Sequence, residues 1–147
     1  FLFLLDTGVR LGEALNFKKD AIQRLDGKYF IVLYADETKN NTTRSVPLTR
    51  RCVAIVNAIG DFSHLDYNMT ERVWKRLRQD MGLDGDKQFV IHCLRHTCAS
   101  RLAQSGKVEL HFIKEWLGHK SYNMTLRYAQ LMPKNLLKAV SILEDYE

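Results

Sequence analysis

The sequence predicts a mainly α-helical fold that contains one small antiparallel β-sheet, an α+β arrangement. Several segments repeat apolar residues every three or four positions, as an amphipathic helix requires. One β-branched and aromatic run, residues 29–34, is followed after a polar stretch by Ser45-Val46-Pro47-Leu48, a pattern typical of a β-hairpin with a long tip. A length of 147 residues with 46% apolar content favours a single domain over residues 1–147.

Two short helices are expected before the hairpin. The apolar run at residues 1–5 predicts a helix that stops near Thr7-Gly8. A second helix is expected over residues 9–17, and it places Arg10 and Glu13 on one face because they are three residues apart.

Six further helices are expected after the hairpin. Thr70 is the predicted N-cap of the second of these, and Gly106 and Gly118 are the predicted stops of the third and fourth. Pro133, which is tolerated in a first helical turn, opens the last. The expected ranges are 51–59, 69–81, 93–104, 110–117, 122–130 and 133–143.

The basic composition favours a polyanionic partner such as nucleic acid. The formal net charge is +5 at pH 7 and the pI is about 9.2, and clustered cations gain affinity by releasing counterions from a phosphate backbone. Three cysteines without framework spacing indicate a reducing compartment, so we expect a cytoplasmic protein. The first apolar run is too short to span a membrane and has no signal-peptide flank. Because the chain begins at Phe1 within a predicted helix, we expect it to be a fragment of a longer protein.

Four separated segments concentrate the side chains that are useful in catalysis. They are T-G-V-R-L-G-E at residues 7–13, the hairpin with Lys39 at its tip, H-C-L-R-H at residues 92–96, and L-G-H at residues 117–119 followed by Tyr128. In kind, order and spacing these segments resemble the motifs of the tyrosine recombinase (phage integrase) family. The resemblance extends from Leu5 to about residue 140.

The resemblance implies a DNA strand-exchange enzyme whose N-terminal DNA-binding domain precedes this chain. Family members act on double-stranded DNA as four protomers, although the isolated domain can be a monomer. Each protomer joins its tyrosine, here Tyr128, to a 3′-phosphate and frees a 5′-hydroxyl. Because the phosphotyrosyl bond conserves the energy of the cut phosphodiester, neither ATP nor a metal or other cofactor is implied. No Gly-rich nucleotide-binding loop occurs in the sequence.

Physical chemistry suits two arginines to this role. The pentacoordinate phosphorus carries extra negative charge, which fixed cations stabilise. A guanidinium group donates two parallel hydrogen bonds to phosphate and stays charged. We therefore expect Arg10 and Arg95 to clamp the phosphate, with the helix dipole assisting if Arg95 lies in the first turn of its helix.

The remaining site residues have expected roles around Tyr128. A tyrosine hydroxyl has an ordinary pKa of about 10, so we expect His92 and the arginine charges to assist loss of its proton. The resemblance makes Lys39 the general acid that protonates the leaving oxygen. His119 would donate a hydrogen bond to the phosphate. In supporting roles, Glu13 would hold the arginine and histidine, and His96 would be a structural histidine.

Each of these residues also has an ordinary explanation when it is taken alone. Arg10 and Glu13 suit a surface ion pair, Lys39 a solvated loop lysine, and Tyr128 a half-buried aromatic. His92 and His96 with the nearby cysteines suggest zinc, but their spacing matches no common zinc pattern. Arg44 is a second candidate acid on the hairpin, disfavoured by its high pKa. The coincidence of all motifs in one order favours catalysis.

Two alternative functions stay open from the sequence. A type IB topoisomerase uses a similar site but relaxes DNA as a monomer, and a decayed integrase would bind DNA without cutting it. A further expectation concerns the last predicted helix, whose apolar residues would dock on a neighbouring protomer. That apolar stripe comprises Leu136, Leu137, Val140 and Leu143.

Overall fold

Seven α-helices and a three-stranded antiparallel sheet form the fold in the computed structural model, which describes residues 1–34 and 43–133. The predicted fold class is therefore confirmed. Lys39 and the last predicted helix with its apolar stripe lie outside the described residues. The helices are α1 Leu2–Thr7, α2 Leu11–Asn16, α3 Arg50–Ile59, α4 Tyr67–Asp80, α5 Cys93–Gln104, α6 Leu110–Leu117 and α7 Asn123–Leu126. The strands are β1 Ile22–Leu25, β2 Lys28–Leu33 and β3 Arg44–Pro47.

The sheet has the order β1-β2-β3 and contains the predicted hairpin. In that hairpin β2 pairs with β3 in a register that places Ile31 opposite Val46. The strand β1 was not predicted. It pairs with β2 through a two-residue turn in which Asp26 and Gly27 both have positive φ, at 48° and 76°. An Asp-Gly pair favours such a turn, which matches the twist of the two strands.

Two apolar clusters form the core, and the tryptophan Trp116 contacts both. The larger cluster packs the inner face of the sheet, including Ile31 and Val46, against α1, α3 and α4. Three of its phenylalanine rings contact one another, one pair stacked and two pairs edge-to-face, with ring centroids 5.1–5.6 Å apart. The smaller cluster joins α5 and α6 around Ala99, Ala103, Ile113, Leu117 and Tyr128. Among the predicted site residues that the structure describes, Tyr128 belongs to the smaller cluster.

Three helix boundaries differ from the sequence prediction. Helix α2 begins at Leu11, so Arg10 is its N-cap in extended conformation and does not share a helical face with Glu13. The predicted N-cap Thr70 is wrong, because Asp66 caps α4 by accepting a hydrogen bond from the backbone N–H of Met69. The helix therefore begins at Tyr67, two residues earlier than expected, since a carboxylate readily accepts hydrogen bonds from the unpaired N–H groups of a first turn.

The third difference concerns the segment that carries Tyr128. One helix was predicted over residues 122–130, but α7 ends at Leu126 and a 3₁₀ turn follows at Ala129–Leu131. Tyr128 lies between these two pieces, just outside regular helix. The break lets its side chain enter the smaller apolar cluster.

The described parts of the chain include no helix that is both long and apolar enough to cross a membrane.

Gly8 ends α1 in a conformation that only glycine adopts easily. Its φ is +64°, and its N–H donates to the Leu4 carbonyl over 2.9 Å. A Cβ atom at this position would lie 3.1 Å from Cys98 Sγ and 3.2 Å from Leu117 Cδ2. The glycine of the first motif is therefore required by both its conformation and its packing.

We expect Gly8→Ala to lower the free energy of unfolding by about 1–3 kcal/mol, because a left-handed alanine is strained and its methyl group meets packed atoms. Gly12→Ala is the matched control, since Gly12 is exposed within α2 and no atom lies within 4 Å of its added Cβ. That variant should be unchanged or gain about 0.5–1 kcal/mol. Urea unfolding of both variants measures the difference, and equal stabilities would contradict the assignment.

Candidate active site

One cleft of about 730 Å³ gathers six of the predicted site residues. Arg10 comes from the N-terminus of α2, two histidines and Arg95 from α5, His119 from the turn after α6, and Tyr128 from the segment after α7. Glu13 lies behind this cleft, in contact with Arg10. The full lining is Arg10, His92, Arg95, His96, His119, Asn123, Met124, Arg127 and Tyr128.

Arg95 is held rigidly by two backbone carbonyls. It is the third residue of α5, so the condition for help from the helix dipole is met, and it is only 3% exposed. Its Nη1 donates to the Gly8 carbonyl over 2.7 Å and its Nη2 to the Leu117 carbonyl over 2.5 Å. Burial and the nearby charge of Arg10 lower the pKa of Arg95 to about 10, so it stays positively charged at neutral pH. Gly8 of the first motif and Leu117 of the L-G-H motif therefore both orient this guanidinium group.

Glu13 binds two arginines, the predicted site residue Arg10 and also Arg44, which was not assigned to the site. The backbone N–H of Arg10 donates to Glu13 Oε2 over 2.7 Å, and Arg10 Nη1 donates to Oε1 over 2.9 Å. Arg44 donates to both carboxylate oxygens as well. Burial alone would raise the pKa of Glu13, but hydrogen bonds and charge from Arg44 and Arg10 lower it overall. Glu13 is therefore a buried carboxylate that holds Arg10, as the sequence suggested, while no described contact joins it to a histidine.

His119 follows Gly118, which ends α6 in left-handed conformation with φ +64°. The His119 backbone N–H donates to the Lys114 carbonyl, and its Nδ1 lies 2.8 Å from Thr125 Oγ1. Burial lowers the pKa of His119 to about 4, and the charges of Arg95 and Arg10 act in the same direction. The imidazole is therefore neutral at neutral pH and keeps one N–H to donate.

The lowered pKa of His119 makes the fold sensitive to acid. An unfolded histidine takes up its proton near pH 6.5, whereas the folded one does so near 4. The contribution of His119 to the free energy of unfolding is therefore fully present above pH 6.5. It is lost as the pH drops from 6.5 towards 4, which lowers the free energy of unfolding by about 1–3 kcal/mol. His119→Asn should flatten the stability curve in this window, measured by urea unfolding at each pH. The exposed His64→Asn is the control, and an unchanged slope in His119→Asn would refute the assignment.

Tyr128 is buried and hydrogen-bonded to a histidine that was not expected to contact it. Its side chain is 4% exposed, and its hydroxyl lies 2.6 Å from Nδ1 of His96. Burial raises the pKa of Tyr128 above its ordinary value, and the charges of Arg127 and Arg95 do not overcome this. The arginine charges therefore do not ionise the tyrosine in this structure.

The two histidines of the H-C-L-R-H motif differ in their environment. His92 is exposed at the N-terminus of α5, and its ring meets that of His96 edge-on with centroids 4.9 Å apart. Burial lowers the pKa of His96, as do the charges of Arg127 and Arg95, so its ring is neutral and can accept a proton. The hydrogen bond identifies His96, rather than His92, as the partner of the Tyr128 hydroxyl. His96 and Tyr128 are 32 residues apart in the chain, which explains why the sequence did not reveal their contact.

Residues 1–34 and 43–133 contain no group of three or more His, Cys, Asp or Glu side chains that is arranged to hold a metal ion. The zinc alternative raised by the histidines and cysteines near residue 95 therefore has no ligand set within those ranges.

Solved structures place this fold in a known class. The chain superposes on the catalytic domain of bacteriophage HP1 integrase with a TM-score of 0.70 and 27% identity, over 95% of this chain and 77% of that one. It superposes equally well, at 0.70 and 26% identity, on XerH site-specific recombinase bound to its palindromic difH substrate after cleavage, over 96% of this chain and 44% of that one. The fold is that of tyrosine recombinase catalytic domains.

The sequence comparison agrees with this class. The chain belongs to the phage integrase family, whose sequence model matches residues 1–135. It is 32% identical to the shufflon-specific DNA recombinase of Escherichia coli over 136 residues, which cover 89% of this chain. The chain spans 34% of the length of that relative.

Proposed function

We propose that the protein is a site-specific recombinase or integrase that cuts and rejoins DNA strands through Tyr128. The observation that carries this proposal is the cleft that Tyr128 lines together with three arginines and three histidines, among them the predicted Arg10 and Arg95. Family membership and the DNA-bound state of the similar XerH support it. The protein would act on double-stranded DNA in the cytoplasm, with four protomers exchanging strands between two duplexes.

In the proposed cleavage step, the Tyr128 oxygen attacks the phosphorus and the bond to the 5′-oxygen breaks. A 3′-phosphotyrosine and a free 5′-hydroxyl result, and reversal with another 5′-hydroxyl rejoins the strand. Arg10 and Arg95 would stabilise the charge on the non-bridging oxygens. His119, with Thr125 fixing its Nδ1, would donate a further hydrogen bond to the same phosphate.

Two proton transfers complete the proposed step. Because the buried Tyr128 is protonated before DNA binds, its proton must leave as the hydroxyl attacks. His96 would accept that proton through Nδ1, which already lies 2.6 Å from the hydroxyl oxygen. His92 would act from the rim of the cleft on the phosphate. Lys39 remains the proposed acid that protonates the leaving 5′-oxygen.

A covalent trapping experiment tests the proposed function. The probe is a pool of end-labelled duplexes of random sequence with one nick, so that cleavage near the nick releases a short fragment and prevents rejoining. The expected result is a protein–DNA band on a denaturing gel, formed equally in EDTA and in magnesium. Sequencing the trapped strands then supplies a defined substrate, the selected duplex. DNA binding without any covalent band would favour a binding module, and relaxation of supercoiled DNA without strand exchange would favour a topoisomerase.

The role of His96 predicts a pH effect. His96→Asn keeps an oxygen near the position of Nδ1 but removes the proton acceptor, so cleavage of the selected duplex should slow by about 100-fold and its rate should rise with pH through the alkaline range. The wild-type rate should fall only when His96 becomes protonated, below its ordinary pKa of 6.5. His92→Asn is the comparison, because that ring does not bond the hydroxyl. A larger loss in His92→Asn, with His96→Asn unaffected, would assign the proton to His92.

A further inference from the structure

Arg44 is a buried arginine at the start of β3 that joins three parts of the fold. Its side chain is 7% exposed. Nη1 and Nη2 donate to the two carboxylate oxygens of Glu13 over 3.1 and 2.7 Å, and Nε donates to the Trp116 carbonyl over 3.3 Å. One side chain thus connects the sheet to α2 and to the end of α6.

The backbone at Gly118 is shaped to receive this guanidinium group. A Cβ atom at that position would lie 2.9 Å from both Cδ and Nη1 of Arg44, which leaves no room for a side chain. Gly118 precedes His119, and the Leu117 carbonyl immediately before it accepts from Arg95. Arg44 therefore contacts the turn that presents His119 and orients Arg95.

The contact with Glu13 also bears on Arg10. The Glu13 carboxylate is 3% exposed and faces Arg44 from β3 and Arg10 from its own N-cap, with the charge of Arg95 nearby on α5. Arg44 binds both oxygens, which fixes the plane of the carboxylate and leaves Arg10 with a hydrogen bond from Nη1 and one from its backbone. Without Arg44, the carboxylate would have Arg10 as its nearest cation and would draw that guanidinium group away from the cleft.

We propose that Arg44 is a positioning residue for DNA cleavage, which holds Arg10 through Glu13 and His119 through the Gly118 turn. This inference rests on the proposed function. In this role Arg44 would act on neither the phosphate nor the leaving oxygen, because its guanidinium group binds Glu13 and the Trp116 carbonyl and does not line the cleft. Removal of Arg44 leaves the buried Glu13 carboxylate with Arg10 as its partner, so Arg44→Ala should lose stability as well as geometry, whereas Arg44→Lys keeps a cation beside the carboxylate.

The test compares two forms of the selected duplex, with an ordinary phosphate or a methylphosphonate at the cleaved position. The methylphosphonate replaces one non-bridging oxygen by a methyl group and removes the negative charge. Its cleavage rate should therefore depend less on the arginine clamp of Arg10 and Arg95. The variants are Arg44→Ala and the charge-retaining Arg44→Lys, with Arg10→Ala as the reference for a weakened clamp. Arg51→Ala is the matched control, because Arg51 forms a two-pronged ion pair with Asp6 and does not line the cleft.

Arg44→Ala should cut the phosphate about 100-fold more slowly than wild type, and the methylphosphonate no more than about tenfold more slowly, as Arg10→Ala does. Arg44→Lys should lie between, since an ammonium group cannot bind both oxygens in a fork. Arg51→Ala should cut both at wild-type rates. An equal loss on both substrates, or no loss, would overturn the inference, and Arg44→Lys decides it if Arg44→Ala does not fold. Failure of wild type to form any covalent product would instead refute the proposed function.

Discussion

Replacement of Tyr128 by phenylalanine is expected to abolish covalent attachment to DNA while it leaves DNA affinity intact. The substitution removes only the hydroxyl oxygen that would attack the phosphorus. The aromatic ring remains in the smaller apolar cluster, and the lost hydrogen bond to His96 should cost about 1 kcal/mol of stability. The covalent band with the selected duplex should therefore disappear without loss of fold.

The control for this prediction is another tyrosine of the same segment. Tyr122 is 44% exposed and does not line the cleft, so Tyr122→Phe should form the covalent product at the wild-type rate. Mass spectrometry of the trypsin-digested wild-type product should find the nucleotide on Tyr128. An adduct on any other residue, or trapping that persists in Tyr128→Phe, would contradict the assignment.

Arg95→Lys should reduce the cleavage rate by at least about 100-fold, the loss typical of one removed donor to a charged transition state. Lysine keeps the charge but cannot hold two carbonyls and face the phosphate at once. The variant leaves the Gly8 and Leu117 carbonyls short of donors, so we also expect a loss of about 1–3 kcal/mol in the free energy of unfolding.

Single-turnover cleavage of the selected duplex measures this effect, with DNA affinity measured in parallel. Arg101→Lys is the control, because Arg101 is exposed on the same helix and does not line the cleft. Its cleavage rate should match wild type. Wild-type cleavage by a folded Arg95→Lys would show that this arginine serves only to connect the loops.

Local patterns in the sequence were enough to predict most of the fold. Helical periodicity and stop glycines located α3, α5 and α6 to within one residue, because these signals act within a few positions. The strand β1 was missed although Asp26-Gly27 is a strong hairpin signal, because only four residues precede the turn and most are exposed. Asp66 and Thr70 are both suitable N-caps, and their residue types alone do not decide which of them accepts the hydrogen bond of the first turn.

The candidate site was predicted in its motifs but not in its internal contacts. The spacing of Arg10, Arg95, His119 and Tyr128 matched a family pattern, and the structure brings these residues to one cleft. The bond between His96 and Tyr128 and the pair of Arg44 with Glu13 join residues about 30 positions apart. Contacts at that range depend on how helices and strands pack, which short-range periodicity does not specify.

The most direct test of the central claim is a crystal structure of the wild-type chain with orthovanadate and a form of the selected duplex that lacks the scissile phosphate, so that a 3′-hydroxyl and a 5′-hydroxyl flank the gap. Vanadate adopts the five-coordinate geometry of the transferring phosphate, and transition-state analogues bind more tightly than substrates. We predict a bond from the Tyr128 oxygen to vanadium, with Arg10, Arg95 and His119 donating hydrogen bonds to its equatorial oxygens. Vanadate bound elsewhere, with Tyr128 still paired to His96 and neither arginine in contact with it, would contradict the account.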